Sequence, residues 1–491
     1  MRRNVLLAGA AATLAAVVAC ATSEEETASL DLDAGVDGVD GVATIVDASS
    51  PEVVDAATGP DVSVPVWSAC NDFGWCETKL PDPNLTFIDV WPFVDRAFAV
   101  AQSDTLGTKV LEWTEAAQAW SYIDDDTQNA YVSGQYAGKM YAPGENEVYF
   151  TTAPGIVYHG TRASVSAPFK WESTRLPYEG PVFADRDPGR AWSVPAGALL
   201  RYAPALGVIG TSADDVYAWY GNQVFRRVSE DGGPPTWTSE FVSQGTSAPS
   251  GPTNESFYIF NASRGDPNGS DELWFVGGHG PTDATKGYIG CPTLFRRTPS
   301  GTSAILDFTY SNGKCTTKPG TIQPRIKREL PGYGMIDVPI QPTGWATTVA
   351  PVAPGAAIVI IDNAQSWYYV DTTAKVARYN YLDGISPPVS VWSPLIHSVV
   401  RVDDRLWFSG HGIVVGSEIK PDAWTNGLGI GTPESYAQAG TGTGALLEKT
   451  SVAMQGRYLN EPLYQVRGSS TSPTKNLWAV GNRYALHKKT P

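Results

Sequence analysis

The chain has 491 residues, of which 42% are hydrophobic and 18% charged, with 49 Gly, 37 Pro, 16 Trp and 22 Tyr. That bias suits half-buried strands joined by tight turns; amphipathic helical patterns are confined to 161–166 and 434–449, and both are interrupted by Gly, Ser or Thr. The formal net charge of −16 falls to −7 for residues 66–491 once the two arginines and eleven acidic groups of the first 65 residues are set aside, and no basic stripe invites nucleic acid.

The stretch MRRNVLLAGAAATLAAVVAC (1–20) joins a basic start, Arg2 and Arg3, to an apolar run from Val5 to Val18 and small residues before Cys20. This is the layout of a secretory signal, and the run is too short for a dependable membrane span. Val17-Val18-Ala19-Cys20 resembles a bacterial lipobox, which makes Cys20 the expected lipidated first residue of a mature chain anchored in the bacterial cell envelope, at the outer membrane, on its periplasmic or surface side. Arg2-Arg3 alone is an incomplete twin-arginine pattern, so Sec export is expected.

Residues 21–65 hold eleven Asp or Glu, no Lys or Arg and no aromatic. Such a segment cannot bury enough apolar surface to offset its ordering entropy, so a disordered, self-repelling acidic tether is expected. DLDAGVDGVDG (31–41) spaces its acids somewhat like a calcium loop but lacks the closing glutamate. The folded domain is expected over 66–491. With Cys20 lipidated, Cys70, Cys76, Cys291 and Cys315 remain, an even number in an exported chain. Of three connectivities, proximity favours Cys70 with Cys76 and Cys291 with Cys315, each bridge stabilising on the order of 2–4 kcal/mol.

A cassette recurs along this domain. Asp271-Glu272-Leu273-Trp274-Phe275-Val276-Gly277, Asp404-Arg405-Leu406-Trp407-Phe408-Ser409-Gly410 and Lys475-Asn476-Leu477-Trp478-Ala479-Val480-Gly481 align without gaps. Looser copies lie at 146–150 and 214–221, and weaker echoes at 96–100, 189–194 and 365–370. Period-two alternation puts Leu406 and Phe408 on one face of a strand and Trp407 on the other, so both faces are expected to be buried between stacked sheets. The glycine is expected to mark the point where the strand turns back into a second apolar strand, as at Gly221-Asn222-Gln223-Val224-Phe225. A tryptophan then closes several units (Trp120, Trp171, Trp237, Trp392, Trp424). Strand, hairpin, strand and Trp-bearing strand in repetition predict an all-β propeller of seven blades, with six or eight as open counts, and a pair of β-sandwiches as the competing fold.

The cassettes at 273, 406 and 477, with the module CNDFGWCETKLPDPNLTFIDVW (70–91), resemble predicted bacterial lipoproteins built from Trp-Ala-Val-Gly repeat propellers. The likeness covers most of 70–491 and is faint from 320 to 400. It implies a propeller and an export route. It carries no activity and no functional residues.

Chemistry is sparse. His279 and His411 occupy matching glycine-flanked places in two cassettes and are weak metal candidates without a third ligand, whereas His159 and His487 end outgoing strands and are expected to face solvent. Asp124-Asp125-Asp126 is either an acidic turn or a calcium-binding loop tip. Ser229 to Trp237 resembles an Asp-box with one extra residue; such a box is a structural hairpin, and no arginine triad of sialidase type can be assembled from the sequence. No nucleophile elbow, zinc-protease helix, P-loop or dinucleotide fingerprint is present, and no cofactor is expected. The expected function is a monomeric, non-catalytic binding or scaffold module for a protein or glycan; the alternative is a propeller hydrolase or lyase acting on polysaccharide. The second reading calls for two carboxylates with Arg or Tyr at a deep channel mouth.

Overall fold

The computed structural model describes residues 70–71, 74–129, 136–179, 204–229, 233–243, 255–265, 271–281, 290–311, 314–330, 332–361, 366–381, 396–411, 413–419, 447–451, 453–454, 457–458, 461–468 and 476–488. The expected signal and tether, with Cys20, lie outside them, as do the echo at 189–194, Trp392 and Trp424. Among the described residues the helical content is one short 3-10 turn, Thr127–Asn129.

Among the described residues, seven strands line a central axis: β1 (Thr86–Pro92), β2 (Ala137–Gly144), β3 (Leu206–Gly210), β4 (Glu255–Arg264), β5 (Ala346–Ala353), β6 (Ile396–Val402) and β7 (Leu463–Gly468). From each of β1 to β6 the next three strands in its sheet run outward as an antiparallel meander. The seventh sheet is completed from the other end of the chain. After Leu477–Gly481 and Tyr484–Lys488 its outer strand is Trp75–Glu77, in the register Trp75↔Lys488, Cys76↔His487, Glu77↔Leu486. Successive inner strands adjoin in chain order and β7 returns to β1, so the ring closes. Closure removes free edges at the centre. The architecture is an all-β propeller.

Two departures from simple meanders are visible. Inner strands β2 and β3 come close enough for a parallel bridge, Gly207↔Lys139, because Gly207 has no side chain: a Cβ there would strike the Trp219 ring and Lys139 Cβ. A hairpin, Pro324–Leu330 with Gly334–Pro339, extends the fifth sheet beyond its outer strand Val376–Tyr381 through a short parallel pairing.

The cassette supplies the second strand of a sheet, and its alternation divides its side chains between two interfaces. Leu406 and Phe408 pack with Ile358 and Ile360 of the fifth sheet, whereas Trp407 packs with Leu463, Leu477 and Trp75 of the seventh. Leu273 and Phe275 face Tyr217 and Trp219 of the third sheet, and Trp274 faces Val349 and Val359 of the fifth. Leu477 and Ala479 join the sixth-sheet interface, and Trp478 faces Val90, Ala99 and Trp113 of the first. Each tryptophan thus seals its sheet against the next one round the axis, and each flanking leucine seals it against the one before. Burying such a side chain contributes about 1.5–3 kcal/mol, so the repeated pattern is also the main cohesive force between sheets.

Two expectations are corrected. The stretch 365–370 is not the cassette of the fifth sheet: Ser366–Asp371 is its third strand, and the second is Ala356–Ile361, AAIVII, with Ile358 where the other sheets carry an aromatic. The cassette glycine is also more than a turn marker. Gly277 lies inside the strand Leu273–Pro281, and a Cβ on it would collide with the Tyr258 carbonyl oxygen, as one on Gly481 would with that of Pro462. It is small because the inner strand presses on it.

That pressure coincides with a register break. In β1, β4, β5, β6 and β7 one extra residue sits at the same level: Ile88, Phe260, Thr347, His397 and Tyr464; β2 has a break between Ala137 and Met140. A bulge bends the strand and re-aims the next side chain. The residues that follow are Asp89, Asn261, Thr348, Ser398 and Gln465, buried polar groups on the first strands of their sheets.

Candidate functional site

Asp89 anchors the most connected part of this polar level. Its carboxylate is fully buried and accepts hydrogen bonds from the backbone N–H of Val90 (2.9 Å) and of Met140 on β2 (3.0 Å). Arg467 on β7 donates from Nε and Nη2 to the two carboxylate oxygens at 2.7 and 2.8 Å. Beside it Lys139 Nζ donates to the Ile88 carbonyl (3.1 Å) and to Gln465 Oε1 (2.7 Å). Burial pushes the Lys139 ammonium down to about 8, against the opposing pull of Asp89 and with a further push from Arg467. Asn261 Nδ2 reaches Thr348 Oγ1 at 3.4 Å on the other side of the ring. Since removing one partner of a buried ion pair strands the other, Asp89→Ala is expected to lower the unfolding free energy by about 3 kcal/mol. Urea denaturation checks this; an unchanged midpoint would show that the pair does not hold β1, β2 and β7 together.

Above that level the carboxyl-terminal ends of all seven inner strands surround a cavity of about 310 Å³. Trp91 and Pro92 come from β1, Tyr141 to Pro143 from β2, Ile209 from β3 with Thr211 and Ser212 just after it, Ser263 and Arg264 from β4, Pro351 from β5, Val400 and Arg401 from β6, and Arg467 from β7. Three arginines line it, and no Asp or Glu is among the described lining residues. Arg467 lies 4.7 Å over the Trp91 ring, which meets Tyr141 edge-on at 5.0 Å. The bidentate grip of Asp89 leaves Nη1 of Arg467 out of the pair. Arg401 is braced by the carbonyls of Asp403 (2.7 Å) and Val352 (2.6 Å). Arg264 is exposed and has no ion pair with any described residue. Burial raises the Tyr141 phenol to about 12, only partly offset by Arg264, so it stays a hydrogen-bond donor at neutral pH.

The residues singled out in the sequence fall elsewhere. Cys70 is bonded to Cys76 (S–S 2.04 Å) of the closing strand, and Cys291 to Cys315 (2.08 Å) between the fourth sheet and the hairpin that follows it. His279 is buried and stacked on Phe257 at 4.8 Å, whereas His411 pairs with Pro462 at the foot of the seventh sheet and acts electrostatically on His397. The two imidazoles thus have different surroundings, and the described residues contain no group of three potential metal ligands. His487 does not face solvent: register sets it opposite Trp478, on which it stacks at 4.3 Å, with Nε2 3.1 Å from Asn476 Oδ1. His159 is likewise opposite Tyr149 and stacks on it at 4.2 Å, beside Glu147. Asp124 and Asp126 already have a cation, Lys109 Nζ at 3.0 and 2.6 Å, where the calcium reading wanted a metal. In the Asp-box-like stretch Ser229 Oγ donates to the Gly233 carbonyl at 2.8 Å ahead of the strand Thr236–Val242, a turn contact.

Asp89, Lys139, Arg264, Arg401 and Arg467 were not legible as a group, because each comes from a different blade and the first strands share no motif. One signal was present. Each of the three arginines closely precedes a cassette tryptophan, at 274, 407 or 478, and therefore ends the inner strand before it.

No family model matches the chain, and the search of curated proteins returns no match. Solved structures that resemble the chain include three of different kinds. A catalytically inactive virginiamycin B lyase from Staphylococcus aureus with quinupristin shares 10% identity at a TM-score of 0.47, over 85% of this chain and 99% of that one. YCF48 from Cyanidioschyzon merolae shares 11% at 0.47, over 85% and 99%. The WD40 β-propeller domain of Doa1 shares 10% at 0.41, over 84% and 96%. No residue role passes from them to this chain.

Proposed function

We propose that the protein is a non-catalytic binding module of the bacterial cell envelope, held to the membrane by lipidation at Cys20 and gripping its partner, protein or glycan, at the mouth of the propeller channel. The observation that supports the mouth is its composition: Arg264, Arg401 and Arg467 converge there from three sheets around aromatic and hydroxyl groups. A concave site lined by few, convergent polar groups is the default place for a ligand on such a scaffold. The polysaccharide-hydrolase reading requires a carboxylate pair, which is not among the described lining residues, so no observation favours it.

Two measurements test the proposal separately. Cys20→Ala is expected to move the protein from the membrane to the soluble fraction; persistence in membranes would refute the anchor. Reversing the charge of exposed Arg264 (Arg264→Glu) is expected to abolish capture of envelope glycans or proteins by the immobilised protein while leaving its unfolding midpoint unchanged. Capture that survives the reversal would place the partner elsewhere on the molecule.

A further inference from the structure

The charge at the channel mouth runs against that of the molecule. Residues 66–491 carry −7, yet the described lining of the mouth presents three arginines without a carboxylate among them. Asp89 offsets the charge of Arg467, which leaves Arg264 and Arg401 as the excess positive charge of the lining, and low-dielectric walls focus that field towards an anion at the opening. The arginines are not equivalent. Arg467 is held in place by Asp89 through Nε and Nη2, a two-point bond that fixes the guanidinium plane and leaves Nη1 for another acceptor. Arg401 is pinned by two backbone carbonyls, and Arg264 is exposed with no described ion-pair partner. Arg467 and Arg401, held in place in this way, lose little entropy when an anion arrives, whereas Arg264 can swing to meet it.

The rest of the cup is suited to hydroxyl-rich ligands. Ser212, Ser263 and the protonated Tyr141 phenol offer groups that both donate and accept. About 310 Å³ is at the small end of ligand pockets, enough for one or two rings. Its lining comes from all seven inner strands, so it is a cup on the axis and not a groove along one sheet.

We propose that the mouth is a receptor site for an anionic sugar, whose carboxylate or phosphate is held by Arg264 and by Nη1 of Arg467, and whose hydroxyls are met by Ser212, Ser263 and Tyr141. Asp89 acts as a positioning residue for Arg467. This deepens the reading above and rests on it.

Calorimetric titration of the full chain in detergent tests the proposal, with galacturonate and glucose 6-phosphate as the two anionic probes, galactose as the neutral control and a glutamate-rich hexapeptide as the rival. At least one anionic sugar is expected to bind with a Kd of about 1 mM or tighter, and the difference between the two tells which acid is preferred. Galactose is expected to bind at least about tenfold more weakly, and Arg264→Ala to weaken the anionic sugar by about tenfold. Arg264 is exposed, so that variant keeps the fold. Equal binding of galactose, no binding of either anionic sugar, indifference to Arg264→Ala, or tighter binding of the hexapeptide would each overturn the assignment. Were the sugars to fail while capture of envelope material still depended on Arg264, the ligand class alone would fall and the channel-mouth reading would stand.

Discussion

Trp478→Ala is expected to lower the unfolding free energy by about 3–5 kcal/mol, the range for removing a large aromatic from a packed core. The indole is wholly buried. Its ring meets Trp113 at 5.0 Å and Trp120 at 5.3 Å, both edge-on, and lies flat against His487 at 4.3 Å. Its Nε1 has no hydrogen-bond partner among the described residues, so the loss is one of packing alone. The position matters as much as the area. Trp478 fills the interface between the seventh sheet and the first, where the ring is closed by a strand from the far end of the chain, and a cavity there is lined by sheets already tied to their neighbours. The gap can collapse only a little. Trp407 faces a less aromatic interface, with Trp75 at 6.2 Å, and keeps 7% of its surface exposed, so its removal is expected to cost less. Urea denaturation of both variants gives the comparison; a Trp478→Ala protein with the wild-type midpoint would mean that this aromatic does not seal the ring.

That asymmetry between seams and channel also explains what could be read from the amino-acid order. Leu273-Trp274-Phe275 and its copies announce a strand dry on both faces because every blade faces the same packing problem and solves it with the same residue types. The exception shows the rule. The fifth sheet uses Ile358 at the aromatic position, and there the pattern faded and a third strand, Ser366–Asp371, mimicked it. The channel residues obey no shared demand. Asp89, Lys139, Asn261, Thr348, Ser398 and Gln465 stand at one level of the ring, yet their partners differ from sheet to sheet: Asp89 holds Arg467, Lys139 holds Gln465 and Asn261 reaches Thr348, so no repeat connects them. The histidines depart from their polar look for a related reason: His487 is buried, while His159 stays half-buried. His487 and His159 look like polar strand ends, but cross-strand register lays them over Trp478 and Tyr149, and flat stacking makes good use of an imidazole.

Acid is expected to destabilise the protein through His397, the extra residue of the β6 bulge. Burial pushes its imidazole down to about 3, with His411 and Lys139 adding positive charge nearby. Its Nε2 is shut off from solvent and has no partner among the described residues, while its ring meets Tyr464 edge-on at 5.4 Å. In the unfolded chain a histidine titrates near 6.5, so between that pH and about 3 the unfolded state binds a proton that the folded state refuses. Stability from this group is therefore complete above about 6.5 and declines as the pH falls towards 3. Because the residue as a whole is only half-buried, the loss is smaller than full burial would give, on the order of 2–4 kcal/mol at the acid limit. Other groups contribute in the same direction: Glu147 and Asp215 are held below the ordinary carboxylate range, Glu147 mainly by its hydrogen bond from His159 and Asp215 by hydrogen bonds from Thr211 and Tyr217 that outweigh its desolvation. A variant separates them. Subtracting the pH profile of His397→Leu from that of the wild type leaves the histidine's own share, which is expected to fall steadily as the pH drops from 6.5 to 4. A difference that stays flat over that interval would show that His397 takes up a proton as readily in the fold as out of it, and that water reaches the bulge level of the channel freely.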